Sequence, residues 1–95
     1  MKTFDELRDE ISTVDAQMAR LFCNRMEASK QIAFFKKENN IPILDKKREE
    51  ELVSINLRQI EDEALRKYYE RFLRYNIKLS REYQEELIGP KGNSR

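Results

Sequence analysis

From Phe4 to Lys37 the chain runs without a single glycine or proline. Within that run apolar residues recur in steps of three and four, at Phe4, Leu7, Ile11, Val14, Met18 and Leu21 and again at Ala28, Ile32 and Phe35, which is the period of one helix face. At 1.5 Å per residue such a helix is a rod of roughly 50 Å, whereas a compact domain of this length has a radius of gyration of only about 12 Å. A rod of that length cannot be wrapped by its own globule. Its apolar seam must be covered by helices laid along it or by a second chain, and a homodimer is the natural solution.

One position of the seam is not apolar. Arg25 stands where the three-and-four count calls for a hydrophobe, between Leu21 and Ala28. Taking a guanidinium out of water without a partner is costly, so a chain that places one there usually supplies an anion to meet it, from itself or from a ligand.

The helix has clear ends. Thr3 followed by Glu6 forms a capping box that starts it near Phe4, and Asn39, Asn40 and Pro42 stop it near Glu38. After the loop from Asn39 to Leu44, Asp45 is the expected N-cap of a short second helix carrying Leu52, Val53, Ile55, Asn56 and Ile60 and losing definition around Arg58 to Glu61. Asp62 caps a third helix with a broad apolar face from Leu65 to Leu87, ended by Gly89 and Pro90. No run alternates as a strand does. The expected fold is therefore all-α, with three helices per chain, one of them very long, forming a helical homodimer; residues 1–90 make one domain and 91–95 a disordered tail.

Composition excludes several functions. With 19 Lys and Arg against 18 Asp and Glu, the net charge of +1 gives no global case for binding nucleic acid or an anionic membrane. A lone cysteine, Cys23, allows no intrachain disulfide, and with no histidine there is almost nothing for zinc or haem ligation, so no metal site is expected. No stretch approaches the roughly 20 apolar residues of a membrane span, and the acidic start Asp5-Glu6 is unlike a secretory signal; a soluble, cytoplasmic setting is the expectation.

Three polar clusters remain. Arg25 and Lys36 return to within about 20° of one helix face, while Arg8 lies about 100° around from Arg25 and about 25 Å along the rod, so the first two face one way and Arg8 does not share their site within a chain. Across an antiparallel dimer it would meet them; a solvated surface charge is the plainer reading of Arg8 and Lys36. Asp45, Arg48 and Glu49 share a face at the start of the second helix, where a cap plus a surface ion pair is an adequate account. Ser80 and Gln84 continue the apolar line Leu73, Ile77 along the third helix and need polar partners, either a structural hydrogen bond or a ligand. There is no histidine base, no nucleophile-and-base pair and no glycine-rich phosphate loop. An enzyme built from this set would act by holding and electrostatically stabilising a dianionic small molecule.

Taken in order, Leu7-Arg8-x-x-Ile11-x-x-Val14-Asp15, Leu21-x-x-x-Arg25, Ile32-x-x-x-Lys36, Pro42-x-x-Asp45-x-x-Arg48-Glu49 and Ser80-x-x-x-Gln84 resemble the all-helical chorismate mutases of the AroQ class. The resemblance spans Leu7 to Gln84. It implies an intertwined three-helix homodimer that rearranges chorismate to prephenate without a cofactor. It also implies roles. Arg8 would reach into the partner's site, Arg25 would grip a substrate carboxylate, and Lys36 and Gln84 would flank the ether oxygen. Asp45 and Arg48 would close the ring end, Glu49 would accept from the ring hydroxyl, and Ser80 would help hold a carboxylate. Met26 and Ala33 depart from the family's usual residues and receive no chemical role. Isochorismate-pyruvate lyases share the fold and much of the cationic set; the complete set favours the mutase. A helical dimerisation module, with the cations merely on the surface, is the reading from another class.

Overall fold

A computed structural model describes residues 1–89; the expected tail over 91–95 lies outside them. The chain is all-helical, with α1 over Phe4–Glu38, α2 over Lys46–Leu57 and α3 over Glu63–Ile88, and no strand among the described residues. The predicted caps are formed. Thr3 and Glu6 make the reciprocal capping box of α1, and Asp45 and Asp62 accept from backbone amides at the starts of α2 and α3. Each satisfies an amide that the first helical turn leaves without an intrahelical partner. Helix α2 stops at Leu57, so Ile60 falls in the connection rather than on the helix. There its carbonyl accepts from Arg66 Nε at 2.7 Å, which ties the turn to α3.

Between α1 and α2 the chain reverses through Asn40, whose φ of 57° puts it in the left-handed region that asparagine tolerates better than most residues. The reversal is pinned from α1, since Lys36 Nζ donates to the Ile43 carbonyl at 2.8 Å and Ile43 itself is buried. Gly89, at φ 89°, ends α3, and its amide donates to the Glu85 carbonyl.

Helix α3 packs against both others, burying Leu73, Ile77, Ser80 and Gln84 along one stripe. The spacing of that stripe follows the helical period, and Val53 of α2 completes a small apolar cluster with Leu73 and Ile77. Against α1 the contact is made by small residues. Ser29 and Ala33 are the buried positions of α1, not the seam residues Ala28, Ile32 and Phe35 that periodicity singled out. Ser29 and Ala33 carry so little side chain that α3 can approach closely there, while the larger seam residues lie beside the contact.

The rest of the seam is bare. Phe4, Leu7, Ile11, Val14, Met18 and Leu21 are all exposed, Leu21 at 65%. The molecule measures 60 × 25 × 15 Å with a radius of gyration of 16.8 Å, well above the about 12 Å of a compact domain of this length. Among the described residues nothing covers an apolar face this long.

Candidate active site

The small residues that let α3 approach α1 also leave a cavity of about 370 Å³ where the α1–α3 contact meets the loop and α2. That volume is within the range of small-molecule sites, about 300–1,000 Å³. Its charged wall consists of Arg25 and Lys36 from α1, Asp45 from the loop, Arg48 and Glu49 from α2, and Arg81 from α3. Ser80 and Gln84, both buried, complete it from α3. Seven of the eight sequence-predicted residues thus share one cavity. Arg8 is the exception, at the other end of α1 with its guanidinium 5.2 Å from the centre of the Phe4 ring.

The two cations that α1 turns to the cavity are held by neutral partners. Arg25 Nη1 donates to Ser80 Oγ at 2.5 Å, and the Ser80 hydroxyl is in turn 3.7 Å from Met26 Sδ, to which it donates. Met26, one of the two departures from the family pattern, thereby helps orient the hydroxyl that orients the arginine. Ala33, the other, is fully buried on the buried stripe of α1. Among the described residues the Lys36 ammonium donates to the Ile43 carbonyl alone. Neither Arg25 nor Lys36 forms an ion pair among the described residues. Two half-buried cations facing one cavity with no counter-anion make it a site for an anion, since each guanidinium or ammonium keeps unused N–H donors.

Gln84 supplies a neutral donor beside them. Its Nε2 donates to the Ser29 carbonyl at 2.9 Å. A helix carbonyl can only accept, so this bond sets which end of the amide faces Ser29 and leaves Nε2 one further N–H. A structural hydrogen bond, one of the two kinds of partner expected for Gln84, is therefore present, and it aims the group.

At the α2 end the sequence reading is partly revised. Asp45 is the cap, its Oδ1 accepting from the Arg48 amide at 3.0 Å. Arg48 and Glu49 do not pair with each other. The exposed Arg48 guanidinium leans outward to Glu51 at 3.9 Å, and Glu49 takes Arg81 Nε at 2.6 Å. Neighbouring residues on a helix diverge by about 100°, so their side chains find partners on different sides. Sequence reasoning missed Arg81. The available signal was its place between Ser80 and Gln84, three residues before the latter, on the face that meets α2.

A larger groove of about 690 Å³ runs along α1 and α3 beside Met18, Leu21, Phe22, Tyr69, Phe72 and Leu79. Its walls are mostly apolar, with Asp15, Arg25, Asn56 and Asn76 as the polar exceptions, so it is chiefly an extension of the bare seam.

A comparison against known families matches residues 7–85 to chorismate mutase type II. The chain belongs to that family. Searches of curated proteins and of solved structures returned no match. The matched span of the chorismate mutase type II domain covers most of α1, all of α2 and α3 up to Glu85, and so includes every residue of the cavity wall. Among the described residues no helix is long and apolar enough to cross a membrane, and no cluster of three or more metal-ligating side chains occurs.

Proposed function

We propose that the protein, as one domain over residues 1–90, is a chorismate mutase that rearranges chorismate to prephenate at the cationic cavity. The observation that carries this reading is the pair Arg25 and Lys36, both facing one small cavity and neither in an ion pair among the described residues, while Gln84 presents a spare amide N–H beside them. The reaction suits such a site. It is an intramolecular Claisen-type shift in which the ether C–O bond breaks as a new C–C bond forms, with no proton transferred and no cofactor required.

The protein's work is then conformational and electrostatic. Arg25, aided by Ser80, grips one carboxylate of the dianion, and Arg8 from a partner chain grips the other; planar guanidinium forks fix orientation as well as charge. Lys36 and Gln84 donate to the ether oxygen, where negative charge grows as the bond breaks. Donors preorganised in a water-poor cavity act on the transition state more than on the substrate, which is what raises turnover. Asp45 and Arg48 close the ring end, and Glu49 accepts from the ring hydroxyl.

The second chain is a further copy of this one. The bare seam from Phe4 to Leu21 and the adjoining apolar groove are what an intertwined homodimer covers, and antiparallel α1 rods bring Arg8 of one copy toward Arg25 of the other. The test offers purified protein chorismate and isochorismate separately. Prephenate from chorismate is expected. Pyruvate and salicylate from isochorismate, with no prephenate from chorismate, would assign the lyase reaction instead, and turnover of neither would leave a helical dimerisation module.

A further inference from the structure

The cavity wall holds one charged side chain that has no role in the mechanism above. Arg81 lines the cavity beside Ser80 and Gln84, and its Nε donates to Glu49 Oε2 at 2.6 Å. Among the described residues this is the most buried ion pair, with side chains 32% and 20% exposed. Its geometry differs from that of the other link between α2 and α3. Arg74 grips both oxygens of Glu50, at 2.8 and 2.9 Å, well outside the cavity. Arg81 engages one oxygen of Glu49 through Nε alone, and Glu49 Oε1 has no hydrogen-bond partner among the described residues.

We propose that Arg81 is a positioning residue for substrate recognition, holding Glu49 across the α2–α3 gap by one oxygen so that the other accepts the substrate's ring hydroxyl. The role rests on the chorismate mutase reading given above. Glu49 shares its cavity with Arg25 and Lys36, neither of which has an anionic partner. A glutamate free to change rotamer there would be drawn to one of them, losing the hydroxyl contact and neutralising a cation meant for a substrate carboxylate. Arg81 prevents both. The hydroxyl sits on the carbon next to the breaking C–O bond, but no bond to it is made or broken and the developing charge falls on the ether oxygen. Its contact is therefore nearly the same in ground and transition states, and losing it raises KM and spares kcat.

The test compares Arg81→Met, Arg81→Lys and Arg74→Met in steady-state turnover of chorismate, with unfolding in urea followed in parallel. For Arg81→Met, KM is expected to rise about tenfold, as for the loss of a hydrogen bond to a charged acceptor, with kcat changed less than about threefold. Arg81→Lys, which retains a donor for Glu49, should recover most of the loss. Arg74→Met removes the other α2–α3 strut and should lower the urea midpoint without moving KM. In a Glu49→Gln background, Arg81→Met should add less than about twofold, because the residue acts through Glu49. An unchanged KM in Arg81→Met, or equal KM changes in the Arg81 and Arg74 variants, would overturn the role and leave Arg81 a strut. An unmodified protein that forms no prephenate would instead remove the activity itself, and this role with it.

Discussion

Exchanging Gln84 for glutamate changes one donor into a titrating group at almost constant shape. Gln84 is 7% exposed and its Nε2 donates to the Ser29 carbonyl at 2.9 Å. In Gln84→Glu the new carboxyl can make that bond, or donate to the ether oxygen, only while protonated; ionised, it sets an oxygen against the Ser29 carbonyl, acceptor against acceptor. Burial and the facing carbonyl disfavour the charge and outweigh the attraction of Arg25 and Lys36, each of which already donates to another acceptor, so the folded-state pKa is raised above the ordinary value of about 4.3. The sign follows from linkage. Stability is complete below the unfolded-state pKa, falls as pH rises toward the raised folded-state pKa, and is level above it, by about 1–3 kcal/mol for a buried acceptor left unmatched. Turnover follows the protonated fraction. Above the folded-state pKa, log kcat should fall by about one per pH unit, until the loss reaches the about 10²–10³-fold typical of removing one transition-state donor. The assay is prephenate formation from pH 4.5 to 9 in both proteins, with urea unfolding at each pH. A variant that matches the original turnover at pH 8, or whose profile is as flat, would refute the donor role of Gln84.

Lys36→Met should lower kcat about 10²–10³-fold and also destabilise the fold by about 1–3 kcal/mol, because the buried Ile43 carbonyl loses its donor; stopped assays and urea titration measure the two separately. Arg8→Ala and Arg25→Ala homodimers should both be poor catalysts, whereas their purified heterodimer should regain one site carrying both arginines, and no recovery would disprove sharing. At the protein surface, the hydrogen bond from Arg74 holds the Glu50 carboxyl below the usual carboxylate range, aided by the charges of Arg74 and Lys46. A depressed folded-state pKa contributes stability that is present above the unfolded value and lost as pH falls through the folded one, so Glu50→Gln should flatten the acid side of the stability profile measured by urea unfolding between pH 6 and 3.

Much of the architecture was legible because it is local. The capping box at Thr3 and Glu6, the caps at Asp45 and Asp62 and the stop after Glu38 each depend on residues within one turn of one another, and the structure forms them all. The shared face of Arg25 and Lys36 is likewise arithmetic on a single helix. Pairings between helices were not legible. Nothing in the order of residues says that Glu49 turns to Arg81 rather than to Arg48, that Arg25 meets Ser80, or that Gln84 donates to the backbone of Ser29, since each depends on the angle and depth at which α3 lies on its neighbours.

The seam shows the division most clearly. Spacing alone established a long amphipathic rod interrupted by Arg25, and the length of that rod already required cover from outside its own globule. Which stripe of the rod faces α3 was decided by packing. Ser29 and Ala33 are small enough to admit α3 at close range, so they are buried while Ile32 and Phe35 remain exposed. That offset brings Arg25 and Lys36 to the edge of the contact, half-buried and facing a cavity. A periodic sequence determines the face of a helix; the sizes of the residues beside that face determine where another helix sits and what space is left for a ligand.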